Sequence, residues 1–117
     1  MRKTYRYKNL SFAVADNEDV NFTLEFVSDG NMGDTIINIP GDDDPEIENA
    51  GTVSLGKGKD LRSESTVVFS SLSNPIPEED TVKIFYKING EILKEHTNKK
   101  SEEKNPIIVL IIKFTEK

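Results

Sequence analysis

Residues 81–96 read TVKIFYKINGEILKEH. Val82, Ile84, Tyr86 and Ile88 alternate with Thr81, Lys83, Phe85 and Lys87, the period of two that a half-buried strand imposes on its side chains. Asn89-Gly90 follows, and both residue types tolerate the positive φ that a tight type I′ turn requires, so Glu91 to His96 is predicted to return as a hairpin strand.

The same period extends outward in both directions. Val20, Phe22, Leu24 and Phe26 alternate with Asn21, Thr23 and Glu25 to predict a second half-buried strand. Thr35 to Ile39 predicts another, stopped by Pro40-Gly41 because proline has no amide hydrogen for the ladder. Thr52 to Leu55 reads as a short strand. Thr66 to Ser70 reads as a β-branched and aromatic one, closed by Ser73-Asn74-Pro75. Tyr5 to Asn9 and Leu10 to Val14 add one strand or two. Ile107 to Phe114 is apolar on both parities and predicts a central strand, since such a run on an open edge would aggregate; Lys104, Pro106 and Lys113 flank it as gatekeepers. The only helix-compatible pieces, Asp42 to Ala50 and Ser101 to Lys104, are short. The expectation is all-β: a single-domain antiparallel β-sandwich of about 7–8 strands over residues 1–117, with a small closed β-barrel as the alternative.

With 117 residues the chain can bury one core, and 35% hydrophobic residues gathered in alternating runs suffice for it. It has no cysteine, which excludes disulfides, thiolate nucleophiles and cysteine-ligated metals. The first dozen residues lack the apolar run of a secretory signal, and Ile107 to Ile112 is too short to span a bilayer. A soluble, cytoplasmic chain is the expectation, and membrane association is disfavoured.

Charge is polarised along the sequence. From Asn9 to Gly56 there is no lysine or arginine, yet this stretch holds eleven acids and a charge of −11; the rest carries +5, giving the net −6. If the strands at Val20 and Thr35 pair as an antiparallel hairpin across SDGNMGD, their free ends bring Asp16, Glu18 and Asp19 beside Asp42, Asp43, Asp44, Glu46 and Glu48. Oxygen-rich loops of this type suit hard cations, so Asp16, Asp19, Asp42, Asp43 and Asp44 are the candidate Ca²⁺ ligands, although no cofactor is required by the sequence. A solvated, self-repelling loop that keeps the chain soluble is the plainer reading. Neither acidic loop meets the EF-hand spacing: Asp42-Asp43-Asp44 is contiguous, and the segment from Asp29 to Asp34 fails at its fifth and sixth positions. A sandwich with acidic end loops is similar to the C2 domains in general architecture only, and no stretch matches their sequence.

Other constellations are poorer. His96 is the only histidine, which excludes histidine-pair metal sites, and its place on a hairpin strand reads as an ordinary strand or surface histidine. Gly56-Lys57-Gly58-Lys59-Asp60 lacks the G-K-[ST] ending of a P-loop and reads as a glycine-rich turn or bulge. No two carboxylates are marked as a glycosidic acid/base pair. The sequence pI of about 4.8 disfavours nucleic acid, and Arg2, Lys3, Arg6 and Lys8 around Tyr5 and Tyr7 predict core tyrosines behind a basic edge. Three functions follow in order: a non-catalytic interaction or structural module, binding a protein partner or itself through a basic surface that meets the acidic end; a Ca²⁺-dependent module for a lipid, carbohydrate or protein; and a small carboxylate-based enzyme.

Overall fold

Among the described residues, alternation settles into nine strands and one helical turn. A computed structural model of the chain describes residues 2–41 and 44–117. In chain order the elements are β1 (Thr4–Val14), β2 (Asp19–Phe26), β3 (Met32–Asn38), β4 (Glu46–Glu48), β5 (Gly51–Lys57), α1 (Gly58–Leu61), β6 (Thr66–Ser73), β7 (Thr81–Ile88), β8 (Glu91–Lys99) and β9 (Ile107–Glu116). One sheet has the order β1-β9-β6-β3-β4 and the other β5-β2-β7-β8, and no ladder among the described residues closes the pair into a barrel. Their inner faces make the core of a β-sandwich, with Val14, Val20, Phe22, Leu24, Ile84, Tyr86, Leu110 and Phe114 among its buried side chains.

The hairpin at Asn89-Gly90 forms as the sequence predicts, with φ of 49° and 84° at the two turn residues. β1 is one strand rather than two, and Asn9, at φ 63°, lies within the register shift between Tyr7 and Leu10. β9 is central, between β1 and β6. Its ladder with β1 is parallel, the one departure from the antiparallel expectation; chain-terminal strands can pair this way because the whole domain serves as their crossover. The Gly56 region forms a bulge in the β2–β5 ladder followed by α1. β4 is a strand where helix-compatible residues stood, because Ile47 buries against the core and its neighbours pair with β3.

The predicted hairpin between β2 and β3 does not exist. β2 pairs with β5 and β7, and β3 pairs with β4 and β6, so the two lie in opposite sheets. The segment between them is a crossover whose polar groups are satisfied from elsewhere. Val27 and Ser28 amides donate to the Lys83 carbonyl, and the Asn74 amide donates to the Asp29 carbonyl and the Asn31 side chain. Those partners replace the ladder that a tight hairpin would need.

A fully buried polar link crosses the core. The Tyr86 hydroxyl on β7 donates to Ser70 Oγ on β6 at 2.9 Å, and Ser70 Oγ lies 2.7 Å from Thr35 Oγ1 on β3, all three residues being fully buried. Ser70→Ala is expected to leave the phenol unpaired in the interior and lower stability by ~1–3 kcal/mol. Urea unfolding checks this, and an unchanged midpoint would show that the phenol finds another acceptor.

Candidate interaction surface

The acidic end resolves into ion pairs within the chain. Asp16 bonds Arg62, Asp19 lies 2.6 Å from Lys57, Glu25 lies 2.5 Å from Lys87, and Glu18 receives the Ala15 amide and the Asn89 side chain. Those contacts, led by the Ala15 amide, hold the Glu18 carboxyl below its usual range. The cations come from the basic portion of the sequence. Folding thus brings charges to the acidic stretch that its own residues lack. Asp44 turns inward on its own loop, accepting from the Asn38 side chain and the Ile39 amide at 3.3 Å each. Asp42 and Asp43 lie outside the described residues. Because β2 and β3 occupy different sheets, their pairing does not gather Asp16 and Asp19 with Asp44, and no group of three or more His, Cys, Asp or Glu placed to hold a metal occurs among the described residues.

His96 lies on β8 with its side chain fully buried, at the side of the sandwich where β1 and β8 are neighbours. The Asn98 amide donates to the carbonyls of Lys99 and Glu103, which leaves Asn98 Oδ1 as an acceptor 2.7 Å from His96 Nε2. Nε2 therefore carries the proton, and Nδ1 accepts the Tyr7 hydroxyl at 2.6 Å. Burial pushes the imidazole pKa down, against the smaller opposing effects of Asn98 and Glu102. A saturated, neutral histidine between two tyrosines is a zipper across the open side, a buried role that its sequence context does not indicate. Tyr5 completes that corner. Its ring stacks edge-on to His96 at 4.7 Å, and its hydroxyl donates to Glu102, which also pairs with Lys3 at 3.0 Å.

The outer faces of the two sheets differ in kind. On the four-stranded sheet the central charges pair with one another: Lys83 reaches Glu95 at 3.5 Å, Lys87 reaches Glu25, and both ammonium groups hang over the Phe85 ring near 6 Å. Its exposed large hydrophobic among the described residues is Ile92 alone, at the β8 edge opposite Lys87. On the five-stranded sheet the register aligns Arg6, Val109, Phe69, Ile36 and Glu46 across all five strands. Phe69 and Ile36 are each 44% exposed, and Val109 between Phe69 and Arg6 is half-buried. Arg6 and Lys8 stand at the β1 edge, and Glu46, Glu48 and Asp34 stand at or beside the β4 edge. None of these five joins an ion pair among the described residues.

This row was not singled out by sequence. Its signal is an inverted alternation: Thr35 and Ser70 point inward while their neighbours Ile36 and Phe69 point outward. The Tyr86 phenol explains the inward hydroxyls, which then fix the parity that turns both apolar neighbours to solvent. No family model, curated protein or solved structure matches the chain. No helix among the described residues is long and apolar enough to cross a membrane.

Proposed function

We propose that the chain is a non-catalytic interaction module that docks a protein surface on the outer face of its five-stranded sheet. The contrast between the two outer faces carries this reading. The four-stranded sheet pairs its central charges with its own residues, whereas the five-stranded sheet presents an apolar row between basic and acidic edges that form no ion pair among the described residues. Scattered exposed apolar residues need no explanation, but two adjacent ones paired across a ladder, in a row bounded by opposite charges, match the anatomy of an interface with an apolar centre and a polar rim. Local rules broken at one place in an otherwise consistent fold mark functional positions more often than errors.

The test is capture from a cell lysate by the wild-type chain and by Phe69→Glu, after confirming that the two melt at the same temperature. Proteins held by the wild type, further copies of the chain included, are expected to be lost from the variant. Retention of the same set by both would remove this face from the function.

A further inference from the structure

We infer that the partner is a second copy of this chain, stacked outer face to outer face about a two-fold axis parallel to the strands. The inference rests on the docking-face reading above and adds the identity of the occupant. It is carried by the symmetry of the row. β6 is the middle strand of five, with β9 and β3 on either side and β1 and β4 at the edges. A two-fold axis running along β6 exchanges the two sides. Phe69 then meets Phe69 of the second copy, Val109 meets the second copy's Ile36, and Arg6 meets the second copy's Glu46.

Along this row each apolar position faces an apolar one and each charge faces its opposite, which is the self-complementarity that a two-fold interface demands. The neighbouring row is not matched, setting Asp34 against the second copy's Ile107 and Glu48 against its Thr4. A two-fold axis perpendicular to the strands gives the reverse. It sets Arg6 against Arg6 and Glu46 against Glu46, so charge selects the first arrangement. The size of the face limits its strength. Five strands about 4.8 Å apart and eight residues at about 3.3 Å each cover roughly 600 Å². A standard interface uses about 800 Å² per partner, which places this dimer at the weak, concentration-dependent end. Sheet twist also rotates stacked faces by about 30°, concentrating the match on the central row rather than the corners.

Sedimentation equilibrium of the full chain at low salt tests the arrangement. The wild type is expected to move from monomer to dimer mass as concentration rises, and Phe69→Glu is expected to stay monomeric with an unchanged melting midpoint. Arg6→Glu alone and Glu46→Arg alone each place like charges in contact twice per dimer, and each is expected to weaken association at least about tenfold. Mixing those two variants restores both attractive contacts, so the mixture is expected to dimerise where neither component does. A wild type that stays monomeric at every concentration overturns the inference. So do single charge variants that associate as well as the wild type, or a mixture that does not recover. The docking-face reading is decided separately: if the wild type is monomeric yet Phe69→Glu still loses proteins captured from lysate, the face docks a different partner.

Discussion

Gly33→Ala is expected to lower stability by roughly 3–5 kcal/mol, more than most single-methyl additions to a domain of this size. Gly33 sits in β3 at φ 138°, a conformation that L side chains rarely adopt. A Cβ there would stand 2.2 Å from the Ser71 carbonyl oxygen and 2.8 Å from the Leu72 Cα, both backbone atoms of β6 that cannot rotate away. The residue is also held from the other side. Its amide donates to the Asn49 side chain at 3.0 Å, and its carbonyl accepts the Asn49 amide at 2.7 Å, so β3 cannot shift toward β4 to relieve the clash without compressing two bonds already at contact distance. Two costs therefore add: the backbone strain of a left-handed φ, and the overpacking of a ladder. Gly90 separates them. It has φ 84° but nothing within 4 Å of its added Cβ, so Gly90→Ala retains only the strain, about 1–2 kcal/mol. Urea unfolding of the two variants gives the comparison. Equal costs would show that the β3–β6 approach at Gly33 is looser than the structure has it.

What the sequence disclosed and what it hid follow from one physical distinction. Alternation reports that a strand has a wet and a dry side, and it placed β2, β7, β9 and the Asn-Gly hairpin correctly. It does not report which sheet a strand joins. A β2–β3 hairpin follows from the local sequence alone, whereas the deciding atoms are remote: the Lys83 carbonyl and Asn74, more than forty residues away. β4 leaves no periodic signal because Glu-Ile-Glu offers a single apolar residue, too little for any period. The charge run misled in the same way. A one-dimensional count left eleven acids unbalanced, yet Lys57, Arg62 and Lys87 fold back onto Asp19, Asp16 and Glu25. The apolar residues on both parities of β9 predict a central strand, which it is, but not how far each face is covered. In the fold Ile108, Leu110 and Ile112 are buried, while Ile107, Val109 and Ile111 are half-covered on the outer face. The candidate surface was thus written in the sequence as excess hydrophobicity, and only the register shows that Phe69 and Ile36 extend it across the sheet.

His96→Ala is expected to cost roughly 3–5 kcal/mol at neutral pH, the range for removing a buried aromatic side chain. The variant leaves the Tyr7 hydroxyl and Asn98 Oδ1 without their partner, removes the edge-on contacts to Tyr5 and Tyr7, and opens a cavity between β1 and β8. Its acid dependence identifies the cause. Because burial lowers the imidazole pKa in the folded chain, the unfolded state takes up a proton first as pH falls below the ordinary value of 6.5. The unfolded state then binds more protons than the native one, so stability declines on acidification through that range until the folded pKa is reached. The carboxylates beside this corner behave in another window. Glu102, held below its ordinary value by Tyr5 and Lys3, and Glu103, held there by the amides of Lys3 and Asn105, lose their contribution only as pH falls through the carboxylate range below 4.5. Between pH of about 6.5 and about 5 the histidine therefore dominates this corner. Denaturant unfolding across pH is expected to show the wild type losing stability over that interval while His96→Ala changes less, so that the gap between them narrows in acid. Parallel profiles would mean that His96 titrates alike in the folded and unfolded chains, and the neutral Tyr7–His96–Asn98 zipper would have to be abandoned.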